Sequence, residues 1–144
     1  MTASTREQAL TGLFSCLQGL TGPVLKRNEP LPTKVPEACL IILRDGDPGE
    51  PEVILSPTRY VYQHRAEVEV LVQEADQAER DAALDTLLVA VGDALTADPT
   101  LGGKVDIVRP GSPELLQETI EGAPTIKAAL IPVFLEYITL NPLQ

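Results

Sequence analysis

Residues 60–73, YVYQHRAEVEVLVQ, alternate without a break: Tyr60, Tyr62, His64, Ala66, Val68, Val70 and Val72 share one side, while Gln63, Arg65, Glu67 and Glu69 share the other. A period of two held over this length specifies a long strand with one buried and one wet side, as in an antiparallel sheet covered on a single face. The rest of the chain must therefore supply neighbours for this strand and an apolar layer over its buried side.

Two segments have the helical period that such a layer needs. In residues 4–20, Leu10, Leu13, Phe14, Leu17 and Leu20 recur at steps of three and four, with Ser4/Glu7 or Thr5/Gln8 as capping boxes and Gly22-Pro23 as a stop. A second helix opens at Asp76, capped in the same manner with Glu79, and carries the stripe Leu84, Leu87, Leu88, Val91 and Leu95. Pro99 ends it, and Gly102-Gly103 supply positive-φ positions for a reversal directly into the strand KVDIVRP, residues 104–110.

The remaining strands are read from apolar runs. ACLIILR, residues 38–44, is continuously apolar and suits a strand covered on both faces. Val53 to Leu55 reads as a short strand broken by Pro57. TIKAALIPVFLEYITL, residues 125–140, is a long β-rich run in which Pro132, unable to donate to a ladder, marks an edge, a bulge or a break between two strands. Residues 21–37 contain four prolines and no period, which predicts an extended surface arm. DGDPGEPE, residues 45–52, predicts a turn or protruding loop.

The chain of 144 residues thus reads as one α+β domain: a helix at about 4–20, an arm at 21–37, and a body at 38–140. In that body a mixed, mainly antiparallel sheet of four to five strands packs on two helices. With 44% apolar residues but 3% aromatics, its core is aliphatic. The N-terminus has neither a basic start nor an apolar segment of signal-peptide type, and no run approaches the ~18 to 20 apolar residues of a bilayer span, so a soluble cytoplasmic protein is expected.

Charge and motif narrow the functional classes. Twenty-one acids against eleven bases give a formal charge of −10, unsuited to gripping nucleic-acid phosphates. His64 is the single histidine and lies on the core side of its strand, which argues against a triad or a histidine metal centre. Cys16 and Cys39 sit among apolar residues as small hydrophobes. Asp45, Asp47 and Glu50 cluster, but without the later bidentate acid of a calcium loop. LGGK at 101–104 follows a helix and precedes a strand, the reverse of a phosphate loop. Ser56 and Ser112 stand before prolines, outside any serine elbow. No catalytic residue, metal ligand or cofactor is expected, and an enzyme using Cys39 or His64 is the weakest class.

The succession YVYQHRAEVEVLVQ, AERDAALDTLLVAVGDAL, TLGGKVDIVRPGSPE and TIKAALIPVFLEYITL, preceded by a helix, an arm, an apolar strand and an acidic loop, resembles the tail terminator proteins of long-tailed phages and gene transfer agents. These tail completion, or tail-to-head joining, proteins are the family of the lambda minor tail protein U. The resemblance implies a non-enzymatic virion protein, assembled in the bacterial cytoplasm and resident in the tail and neck. It implies a ring, usually a homohexamer, that caps the head-proximal end of the tail tube. Its partners would be further copies of itself, the major tail tube protein and a head-completion or neck protein, with DNA only passing through and no membrane involved. Six copies would carry about −60 in formal charge, which repels rather than holds passing DNA. The residues expected to make assembly contacts are Lys26 and Arg27 in the arm, Asp45, Asp47 and Glu50 in the acidic loop, and Glu114 and Glu118 in the loop before the last strand. The alternative reading is a small α+β ligand-binding or regulatory domain without catalysis.

Overall fold

The computed structural model describes residues 2–32, 35–36, 39–116 and 125–144. The first helix, α1 (Thr5–Gln18), starts where Ser4, in extended backbone, accepts the Glu7 amide on its hydroxyl. Of the two caps that the sequence offers, Ser4 is the one used. Its inward stripe is Ala9, Leu10, Leu13 and Leu17. The second helix, α2 (Gln77–Ala97), is capped as expected by Asp76, whose carboxylate accepts from the Glu79 amide, and it buries Leu84, Leu87, Val91 and Leu95.

Seven strands form one sheet: β1 (Val24–Arg27), β2 (Cys39–Asp47), β3 (Glu52–Ile54), β4 (Arg59–Gln73), β5 (Ile107–Pro110), β6 (Glu114–Leu115) and β7 (Ile126–Thr139). The path runs β1-β2-β4-β7-β5, with β3 also on β4 and β6 also on β7. Only the β1–β2 pairing is parallel, so the α+β class with a mixed, mainly antiparallel sheet holds. The count is seven rather than four to five because two short strands and the arm contribute. Residues 24–27 of the expected arm are in fact the edge strand β1, since Leu25 packs toward the core and each residue pairs with β2.

β4 and β7 pair along their whole length, from Tyr60 opposite Thr139 to Gln73 opposite Ile126. The alternation of β4 is realised: Tyr62, His64, Ala66, Val68, Val70 and Val72 are buried, and both helices lie over that side with Ile131, Val133, Leu135 and Tyr137 of β7. The opposite face is wet over much of its area, where Arg44 binds Glu69 at 2.8 Å. At one end this face closes too, because Val35 packs with Leu40, Ile42, Leu71, Ile126 and Ala128 in a second small core. Cover on both sides is what the continuous apolar run of β2 called for.

Pro132 is neither at an edge nor in a broken strand. β7 passes through it, with Glu67 of β4 opposite. The Pro132 carbonyl accepts from the Gly111 amide on the other side, so its nitrogen faces that side as well. There β5 has ended at Pro110 and β6 begins at Glu114. The break belongs to the neighbour, and the ladder needs no donor at that point.

The α2–β5 reversal also differs in length from the expectation. Leu101, Gly102 and Gly103 take successive positive φ values of 50°, 68° and 88°, and the chain remains in turn conformation until Ile107. The strand accordingly starts three residues after Lys104. Leu101 is buried in the core, which anchors the reversal beneath α1.

The acidic segment 45–52 is only partly a loop. β2 continues to Asp47, with a register irregularity between Arg44 and Asp47, and β3 resumes along the same edge of β4. Gly46 makes this possible: its φ is +68°, and a Cβ there would overlap the Arg65 carbonyl.

Candidate functional site

The residues singled out on the arm and the acidic loop meet in one place. Arg27, at the end of β1, donates through Nη1 and Nη2 to the Glu7 carboxylate at 2.7 and 3.0 Å, and through Nε to Asp45 at 2.8 Å. Asn28, at φ 55°, accepts the Asp45 amide on its side chain at 3.1 Å. The bidentate guanidinium thus joins α1, β1 and β2. It holds the Glu7 carboxyl below its ordinary range, chiefly by hydrogen bonding; at Asp45 burial opposes the same effect, but the Arg27 and Asn28 contacts prevail and the pKa is lowered.

Beneath this network lies His64, 1% exposed. Its Nε2 is 2.6 Å from the Asp45 carbonyl and its Nδ1 is 2.8 Å from the Tyr137 hydroxyl. A carbonyl can only accept, so Nε2 carries the proton, and Nδ1 accepts from the tyrosine O–H. Burial pushes the His64 pKa down; the nearby Asp45 backbone and carboxylates of Asp45 and Asp47 oppose this, and Arg6 adds to it. Burial likewise pushes the Tyr137 hydroxyl up to about 12. The pair is therefore a neutral, fully hydrogen-bonded core element. Cys39 pairs with Val72 at the far end of β4 and shares nothing with His64. Both cysteines are free, and burial raises both thiols. Cys16 donates to the Ala94 carbonyl at 3.4 Å. Among the described residues, no group of three His, Cys, Asp or Glu side chains could hold a metal ion.

The other sequence candidates are scattered. Lys26 is exposed on β1. Asp47 accepts the Gly49 amide within its own loop at 2.8 Å, and Glu50 is exposed beside it. Glu114 is exposed on β6, away from the Arg27 network, and Glu118 lies outside the described residues.

A feature not singled out from the sequence is the end of the sheet built by β3, the start of β4 and the end of β7. Neither β1, which pairs only with Leu40–Leu43, nor β5, which pairs only with Val133–Glu136, reaches it. Val53 shares a row with Tyr60 and Thr139, on the helix side. Ile54 and Ile138 lie on the other side, and Leu55 opens the turn between β3 and β4. Val53, Ile54 and Ile138 are close to half exposed, while Leu55, Leu140 and Leu143 are 72%, 69% and 80% exposed. The result is a two-sided apolar finger, flanked by Glu50 and Glu52. The signal was present in VIL at 53–55 between polar turns, but an isolated three-residue strand does not reveal whether anything covers it.

No protein-family model matches this chain, and no curated protein matches it either. No helix is long and apolar enough to cross a membrane among the described residues.

Proposed function

We propose that this chain is a structural assembly protein, a tail terminator ring subunit that caps the head-proximal end of a phage or gene transfer agent tail tube and joins tail to head. The observation that carries this reading is the apolar finger. Contiguous exposed aliphatic side chains on both faces of a sheet extension are costly in water and mark a surface meant for another protein. The order of elements supports the resemblance on which the tail-terminator reading depends, and the excess of acids suits a conduit for DNA. The main polar networks, Arg27–Glu7–Asp45 and His64–Tyr137, are internal ties that stiffen the body behind the finger.

The ligand-binding alternative has a smaller foothold. A cavity of about 170 Å³ opens between Leu31, Glu69, Glu114, Leu116, Ala128 and Leu130. Small-molecule sites commonly enclose roughly 300 to 1,000 Å³, so the finger outweighs it.

The test is the mass of the purified protein in solution, followed by negative-stain imaging with the matching tail tube protein. Rings seated on tube ends and tubes of altered length are expected. A protein that binds no tube end and leaves tube length unchanged refutes the reading.

A further inference from the structure

We propose that the finger of one copy seats in the groove between α2 and the β5–β6 turn of a second copy, so that the chain associates head to tail. The inference adds a specific contact to the ring reading, and rests on that reading only for closure of the chain of contacts into a ring.

The groove is lined by Leu88, Val91 and Gly92 of α2, by Pro110, Gly111 and Pro113 of the turn, and by Ile131 below, and encloses about 210 Å³. An engineered apolar cavity of roughly 150 Å³ holds a benzene molecule, so this space admits one or two aliphatic side chains. Gly92 keeps it open: a Cβ there would meet nothing within 4 Å. The turn that forms the opposite wall is fixed, because Gly111 donates to the Pro132 carbonyl and lies so close to the Pro132 ring that a Cβ would clash with it. Val89, 56% exposed, and Leu115, 45% exposed, extend the apolar surface on α2 and β6.

Finger and groove cannot meet within one molecule. Ile131 lies eight residues before Thr139 on β7, which at the strand rise is about 27 Å. A projection at one end of a sheet and a receptor elsewhere on the same chain make a heterologous contact, which closes into a ring when the rotation permits. The six aliphatic residues of the finger expose roughly 600 Å² at about 150 to 200 Å² per whole residue, the upper end for a patch left bare on a monomer and most of the ~800 Å² that each side of a standard interface buries. Charge is complementary as well. Glu50 and Glu52 flank the finger, whereas Arg109, the chain neighbour of Pro110, is half exposed and only loosely paired with Glu136 at 3.9 Å.

Strand addition at β5 is not the mode of contact. The Val108 amide is already bound to the Pro99 carbonyl and Pro110 has no N–H, so this edge is blunted. The contact is made by side chains.

Two variants test the proposal. Leu55→Asp changes a side chain exposed at a turn, and Gly92→Glu fills the groove while improving helix propensity, so neither threatens the fold. Solution mass is measured by light scattering for the wild type, for each variant alone and for a 1:1 mixture. The wild type should form a higher oligomer, each variant alone should be monomeric, and the mixture should be a dimer, because one intact finger then meets one intact groove. A monomeric mixture, a wild type monomeric at about 100 μM, or either variant assembling like the wild type overturns the proposal. A wild type that assembles in this pattern but ignores tail tubes instead removes the tail-terminator reading and leaves the contact standing.

Discussion

Stability between pH 7.5 and 5.5 should be governed by one residue. His64 is the single histidine, is buried, and is held neutral with its Nε2 proton on the Asp45 carbonyl and its Nδ1 occupied by Tyr137. Its pKa is lower in the folded chain than in the unfolded one, where it takes the ordinary value near 6.5. The unfolded state therefore binds the proton first, and stability is complete above about pH 6.5 and falls with further acidification until the folded pKa is reached. If the native imidazole stays neutral to pH 5.5, the loss over this interval is about 1.4 kcal/mol. The carboxylates of Glu7 and Asp45, whose pKa values are lowered, contribute stability that disappears only as pH falls below about 4.5, outside the window. Urea unfolding at fixed protein concentration and ionic strength, at pH 7.5, 6.5 and 5.5, measures the slope for the wild type and for His64→Leu. The variant should be less stable by roughly 2 to 4 kcal/mol, since the Tyr137 hydroxyl and Asp45 carbonyl lose their partner, but its stability should be flat with pH. Adding Tyr137→Phe should restore part of the loss, because one orphaned hydroxyl is removed. A flat wild-type profile, or a slope that survives His64→Leu, refutes the argument.

Leu135→Ala, at a fully buried position on β7 beneath the helices, should cost about 2 to 5 kcal/mol by thermal or urea unfolding. Gly46→Ala should cost more than about 3 kcal/mol or prevent folding, because both the positive φ and the Arg65 carbonyl oppose a side chain; circular dichroism of the purified variant decides it. Arg27→Met should cost only about 1 kcal/mol, since Glu7 and Asp45 are each about two-fifths exposed, and the difference from wild type should shrink in high salt.

Much of the body was legible because local rules and tertiary environment agreed. The two-residue period of 60–73 announced a strand with one buried side, and the cap at Asp76 announced a helix start, as both depend on neighbours close in sequence. The seven-strand count was not legible. β1 has no period of its own and exists because β2 offers it a parallel edge, and β6 is two residues long and defined by β7. Pro132 shows the same limit: its sequence context states that a donor is missing, while only the position of the gap between β5 and β6 states that none is required.

The candidate contacts divide along the same line. Asp45 and Arg27 could be singled out as charged residues in flexible-looking segments, yet their sequence gave no sign that they would bind one another, because 18 positions separate them. Glu7 was recognisable as a capping residue, but its carboxylate belongs to Arg27. Composition and periodicity by themselves determined an acidic, aliphatic-cored α+β chain with His64 turned inward, since burial preference and backbone period are properties of each segment alone. Which strands lie at an edge, which ion pairs close, and which aliphatic residues remain bare at the finger were decided only when distant segments came together, because exposure and pairing are properties of what arrives next to a residue in space.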